Sequence, residues 1–167
     1  MSNRSTLINK STPDYGVSDI DSGTLAAKYS IAVLWPPLFD REDLHYLDYI
    51  DDSSGETFRI PYLTTSLLSA LSRWQVRKRL FSSLSEVGLA AVESFDSSLA
   101  SMTQPYLVLD TWEIWMLYEK DFDLFLFESI EQSVRGDLSA LIEQAHIRDG
   151  QEGIHQYAGF AWNTRAQ

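Results

Sequence analysis

The stretch "DTWEIWMLYEKDFDLFLFE" (residues 110–128) holds two tryptophans, a tyrosine and three phenylalanines, threaded with carboxylates and a single lysine. Its reading decides the fold. As one helix it is apolar nearly all round, because Trp112, Ile114, Trp115, Met116, Leu117 and Tyr118 cover every direction. Such a helix has to be enclosed on all sides, and a chain of 167 residues has little room for that. As strands the pattern is simpler. Trp112, Ile114, Met116 and Tyr118 share one face, while Glu113, Trp115, Leu117 and Glu119 share the other. Beyond a turn at Lys120-Asp121, Phe122, Leu124 and Leu126 lie opposite Asp123, Phe125 and Phe127. The alternation predicts a hairpin. Residues 106–118 are too long for one typical strand, so a bulge or bend is expected at Asp110-Thr111. The face with Trp112, Ile114, Met116, Phe122, Leu124 and Leu126 is expected in the core. The face with Trp115, Phe125 and Phe127 among acids is either roofed by helices or open as a protein-binding patch.

Working outward, residues 1–27 are rich in Ser, Thr, Asn, Asp and Gly without a sustained period. They read as a flexible leader, with 28–167 as a single globular domain. "KYSIAVLW" (28–35) reads as a buried strand halted by Pro36-Pro37. Asp40 is placed to cap a helix over 40–50, "DREDLHYLDYI", with Leu44, Leu47 and Ile50 as its apolar stripe. Leu63, Leu67, Leu71, Trp74 and Phe81 have helical spacing, and "SLSE" (83–86) forms a capping box for a following helix. A further helix follows the break at Gly136-Asp137. The tail from 148 onward reads as irregular, packed down by Phe160 and Trp162. Strands at 28–35, 106–118 and 122–128, with helices at 40–50, 63–81, 84–99 and 137–147, predict an α+β fold: a small, mainly antiparallel sheet packed with four helices. The alternative is a mostly α-helical fold with residues 110–128 as a buried helix.

Composition narrows the function. There is no cysteine, so disulfides, Cys-based zinc sites and Cys nucleophiles are excluded. The first residues, "MSNRSTLINKSTPDYG", contain no apolar run and do not read as a secretory signal. No stretch approaches the length of a membrane span. The expected setting is the cytoplasm, away from membranes. With 24 acidic against 13 basic residues the formal charge is −11. That argues against nucleic-acid binding, which needs cations to displace counterions from phosphate. It favours encounter with a basic protein.

No catalytic motif is found. His45, His146 and His155 form no His-x-x-x-His pair. There is no Gly-x-Ser-x-Gly elbow, phosphate-binding loop or dinucleotide fingerprint. The chain therefore reads as a non-enzyme without cofactor or metal. Asp48, Asp51, Asp52 and Glu56 cluster around a glycine but miss the calcium-loop register. A metal enzyme built on them is the alternative from another class. A further alternative is self-association, with the basic cluster Arg73, Arg77, Lys78 and Arg79 facing an acidic block of a second copy to make a homodimer.

What stands out is charge combined with aromatic residues. Residues 40–56 carry seven acids and one arginine, and residues 110–131 carry seven acids and one lysine. The expected contacts with a basic partner are Asp43, Tyr46, Asp48, Tyr49, Asp51, Asp52 and Glu56 from the first block. From the second they are Glu113, Trp115, Glu119, Asp123, Phe125 and Phe127. Aromatic anchors supply buried area and carboxylates steer and select. In size, acidity and these two blocks, "DREDLHYLDYIDDSSGE" and "DTWEIWMLYEKDFDLFLFE", the chain resembles bacterial immunity proteins. That resemblance implies an acidic inhibitor that neutralises a secreted toxin, including basic nucleases, by direct stoichiometric binding.

Overall fold

The computed structural model describes residues 3–16, 24–82, 84–118, 121–147 and 152–161. An antiparallel sheet of six strands carries helices on one face, an α+β fold. The strands are β1 (Arg4–Lys10), β2 (Leu25–Lys28), β3 (Leu44–Ile50), β4 (Thr57–Ser66), β5 (Tyr106–Asp110) and β6 (Phe160–Ala161), in the order β3-β4-β5-β1-β2-β6. The helices are α1 (Leu67–Arg77), α2 (Glu86–Ala100), α3 (Trp112–Trp115), α4 (Phe122–Val134), α5 (Ser139–Gln144) and α6 (Ile154–Ala158).

Residues 4–10, expected in a flexible leader, form a central strand between β5 and β2. "RSTLINK" lacks a long apolar run because its polar residues have partners. Leu7 faces the main core, whereas Ile8 joins Tyr15 and Val108 in a smaller cluster on the opposite sheet face. Ser5 Oγ donates to the Ser30 carbonyl at 2.7 Å, and Thr6 reaches Asp110.

The strand expected at 28–35 ends at Lys28, and Tyr29 adopts φ 61. Residues 31–35 are buried but irregular. Their backbone groups find partners elsewhere. Gln144 bonds both Ile31 N–H and its carbonyl, and Val33 and Leu34 N–H donate to carbonyls of α6. The buried run is legible as apolar but not as a strand, since backbone satisfaction by a side chain leaves no sequence period.

The helix expected at 40–50 is a strand preceded by a single 3₁₀ turn. Asp40 does form a capping box with Asp43, yet the turn ends at Asp43 and β3 pairs with β4 from Leu44↔Leu63 to Ile50↔Thr57. The spacing of Leu44, Leu47 and Ile50 is helical, but in the strand Leu44 turns to the main core and Leu47 to the opposite face, and the β-favouring Tyr46, Tyr49 and Ile50 go with the strand. The helix expected at 63–81 starts at Leu67. Leu63 belongs to β4, and Ser66 caps α1 by accepting from Ser69 N–H at 3.1 Å. For α2 the cap is Ser85, accepting from Gly88 N–H at 3.0 Å, and Ser83 lies outside the described residues. Trp74 of α1 meets Phe95 of α2 edge to face at 5.0 Å, locking the two helices as a pair. The helix expected at 137–147 is the shorter α5, and the tail contributes α6 and β6. Trp162 lies outside the described residues. Among the described residues no helix is long and apolar enough to cross a membrane.

Residues 110–128 form neither a hairpin nor one helix. The strand stops at Asp110, at the expected bend. Then comes the single turn α3, and the strand expected at 122–128 is the start of α4. Breaking the helix relieves the demand for enclosure on all sides. Phe122, Leu126 and Ile130 face the core, while Met116, Leu117, Tyr118 and Leu124 reach the surface. Met116 and Leu124, expected in the core, are exposed, and Trp112 is half-buried.

The junction of α6 and β6 clasps Trp35, whose indole N–H donates to the Ala158 carbonyl at 3.1 Å. Gly159 has φ 77, and a Cβ there would lie 2.4 Å from Trp35 and 3.0 Å from the Ala26 carbonyl. Gly159→Ala is therefore expected to cost about 2–4 kcal/mol, from the left-handed backbone and the clash together. Gly55→Ala, at φ 73 in open space, meets only the backbone strain and loses about 1 kcal/mol. Urea unfolding midpoints of the two variants check the difference, and equal losses would refute the clasp.

Candidate protein-docking surface

The site begins where β5 ends. Its last pair with β4 is Tyr62↔Asp110, so residues 57–61 of β4 pair with β3 alone. Pro61, which cannot donate to a ladder, sits at this one-sided position. Its carbonyl accepts from Thr111 Oγ1 at 2.7 Å. The chain turns there into α3, which stands against the protruding β3–β4 hairpin.

Aromatic rings fill the contact. Trp112 meets Tyr49 edge to face at 4.8 Å, and Trp115 meets Phe58 in the same way at 5.9 Å. Tyr46 on β3 donates its hydroxyl to Asp123 of α4 at 3.0 Å, across 77 residues of sequence. Burial first, and then this bond, raises the Tyr46 phenol above its usual pKa. The two acidic blocks thereby form one surface. Two grooves flank this contact, of about 630 and 280 Å³, on opposite faces of the β3–β4 hairpin, and Trp115 and Tyr118 line both. The larger runs between Tyr49, Phe58 and Met116, with Asp51 at its edge, and the smaller between Tyr46, Arg59, Asp121 and Asp123.

The expected contact residues divide. Tyr46, Tyr49, Asp51, Trp115 and Asp123 come together at the grooves. Asp48 stands on the same hairpin, with Arg59 at 3.6 Å, and Asp52 and Glu56 lie exposed in its loop. Others are turned to structural use. Asp43 is bound by Arg73 at 2.7 Å, and Glu113 accepts from the Arg4 N–H at 2.8 Å. Phe125 and Phe127 are half-buried. Phe125 stacks on Tyr118 at 5.8 Å, and Phe127 lies under the Arg41 guanidinium at 5.4 Å. Glu119 lies outside the described residues. Tyr118, Met116, Phe58, Arg59 and Asp121 belong to the surface but escaped the sequence reading. A two-strand pattern for 110–128 hides them, because it sends Tyr118 and Met116 into the core and brings β4 nowhere near.

The acids around Gly55 build a turn. Asp51 accepts from Ser53 N–H at 3.0 Å and from the Ser53 and Ser54 hydroxyls, and these bonds hold its carboxyl below the usual range. Among the described residues no group of three or more His, Asp or Glu is placed to hold a metal ion. The basic cluster is engaged within the chain. Arg73 pairs with Asp40 and Asp43. Arg77 binds the Pro37 and Phe39 carbonyls and Asp40, and Lys78 pairs with Asp96 at 3.0 Å. These contacts tie α1 to the segment 36–43 and to α2, and leave the homodimer reading without its basic face at Arg73, Arg77 and Lys78.

Asp110 is the buried acid beneath the site. Its carboxylate accepts from Trp112 N–H at 2.8 Å, Tyr15 hydroxyl at 2.7 Å and Thr6 at 3.4 Å. Burial outweighs these donors and pushes its pKa up to about 6. A raised folded-state pKa means the proton is held more tightly when folded. The contribution to stability is whole below the ordinary value near 3.8 and is lost as pH rises through about 6. Asp110→Asn keeps an acceptor and does not ionise. Its stability relative to the native chain is expected to improve by about 2–3 kcal/mol between about pH 4 and pH 7.5. Urea midpoints of both proteins across that window check this, and parallel curves would contradict it.

Compared with protein-family models, with curated proteins and with solved structures, the chain has no match, which leaves the joined surface of its two acidic blocks as the guide to its function.

Proposed function

We propose that the chain is an acidic protein-binding module that neutralises a basic partner. In this reading it is a cytoplasmic immunity protein that inhibits a secreted bacterial toxin by stoichiometric binding, and the toxin is a basic protein such as a nuclease. The observation that carries the reading is the junction at Trp115. There the Tyr46–Asp123 hydrogen bond and two aromatic grooves unite blocks that are remote in sequence.

Three features support docking at this place. Met116 and Tyr118 are 65% and 37% exposed, so apolar surface stands open beside half-buried rings. The half-buried tryptophan is of the type that anchors interfaces from their centre. Asp51, Asp121 and Asp123 line the grooves, and Asp48, Asp52 and Glu56 stand on the same hairpin, against Arg59. A surface with this excess of acids speeds encounter with a cationic protein and disfavours a second copy of the same face. Inhibition follows by steric cover: a partner held against the hairpin and α3 has its own basic surface buried and cannot use it on a polyanion.

The expected result of co-purification at low salt is a one-to-one complex with a basic protein that weakens as salt rises. Trp115→Ala is expected to weaken it about tenfold or more. Because Trp115 also packs on Phe58, the exposed pair Asp52→Lys with Glu56→Lys serves as the second variant and is expected to weaken binding about tenfold. Co-expression should rescue cells from a toxin encoded beside this gene. A partner indifferent to salt and to all three substitutions, or no partner at all, would sink the proposal.

A further inference from the structure

The smaller groove has the make-up of a cage for a planar cation. Its walls include the rings of Tyr46, Trp115 and Tyr118, and its polar groups include the carboxylates of Asp121 and Asp123. One guanidinium already stands in it. Arg59, on β4, lies 4.5 Å over the Tyr46 ring. Its Nε is 3.6 Å from Asp48, and the two side chains are 69% and 71% exposed. An ion pair this exposed is loosely held, so Arg59 is free to leave the ring without disturbing the fold.

We propose that this groove takes an arginine side chain of the basic partner, and that Arg59 is its internal competitor, displaced from the Tyr46 ring as the partner's guanidinium arrives. The inference rests on the docking reading above and adds the chemistry of recognition. Arginine suits the cage better than lysine. Its flat guanidinium stacks on aromatic faces, and its fork of N–H groups can meet carboxylates side by side. Arg59 also screens the rings and acids when no partner is bound, keeping a cationic contact on Tyr46 in place of bare π-surface.

The competitor role carries an unusual sign. Removing a residue from the groove should strengthen binding, whereas loss of an ordinary contact or of a wall would weaken it. The probe is N-acetyl-arginine amide, titrated at low salt while the Trp115 indole signal is followed by NMR and assigned with Trp115→Phe. Arg59→Gln is compared with Arg79→Gln, which removes the same charge from a position outside the groove. The expected result is a saturable shift of the Trp115 signal, absent with the uncharged citrulline analogue, and binding about threefold or more tighter in Arg59→Gln than in Arg79→Gln. No shift, an equal shift with citrulline, or equal affinity of the two variants overturns the cage. If the basic partner still binds in a salt-dependent way while the arginine probe leaves Trp115 unmoved, this inference falls and the docking proposal stands. If the probe binds as expected and no basic protein is retained, the cage stands and the docking proposal falls.

Discussion

The switch from strand to helix at Asp110 and Thr111 governs where the candidate surface lies. Asp110 ends β5 with a buried carboxylate that collects the Trp112 N–H, the Tyr15 hydroxyl and Thr6, and so starts α3 while fastening residue 15 across the sheet. Thr111 ties the same point to the Pro61 carbonyl. Burying this acid is costly, which the raised pKa records. The hydrogen bonds offset that cost only while all three donors are in place. Had β5 run on beside β4, the outer part of β4 would be an inner strand. Because it stops, the aromatic turn of α3 occupies the vacated side of the hairpin, and its tryptophans meet Tyr49 and Phe58 there.

A second constraint shapes the buried segment that leads into β3. Residues 31–39 run buried without belonging to a strand, so their backbone groups need partners that are not supplied by a ladder. Arg77 provides two N–H contacts to the Pro37 and Phe39 carbonyls, Arg73 bonds the Leu38 carbonyl at 3.3 Å, and Gln144 closes both sides of Ile31. Asp40 and Asp43 in turn neutralise the two arginines. Arginine suits the task because a buried guanidinium can satisfy several carbonyls at once, provided a carboxylate balances its charge. The only clustered cations of an acidic chain are thus spent mainly on holding its least regular buried segment.

The α+β class was legible because mixed periods run through the chain, and α2 was legible to within about two residues of each end from the spacing of Ala91, Phe95 and Leu99, although its cap is Ser85 and not the start of the expected 83–86 box. Other elements were not. Residues 44–50 have the spacing of a helical stripe and no strand alternation, and only pairing with β4 makes them a strand. Residues 4–10 resemble linker because Ser5 and Thr6 are polar, and their burial depends on Ser30 and Asp110, far away in sequence. Of the candidate site, the acids and aromatic residues of both blocks, Trp115 among them, could be read from the sequence. Their convergence could not, since it depends on where β5 stops. Arg59 gave no signal at all: its place over Tyr46 follows from the register of β3 and β4.

The two blocks also teach how linear charge differs from presented charge. Residues 40–56 and 110–131 have the same formal balance, yet many of their acids do not face outward. Asp40 and Asp43 are neutralised by arginines, Asp51 is held by its own turn, Glu113 receives the Arg4 N–H, and Asp110 is buried. The acids that remain outward on the facing elements are at the hairpin, Asp48, Asp52 and Glu56, and at the start of α4, Asp121 and Asp123. These lie around a region where the aromatic side chains of Tyr46 and Tyr118 are also open. Exposed apolar surface invites self-association, and a ring of like charge opposes it, since two copies meeting there would bring carboxylates against carboxylates. The same ring does not oppose a cationic protein. The aromatic surplus of residues 110–128, too large for the core to absorb, is in this way left partly open beside carboxylates that oppose its self-association.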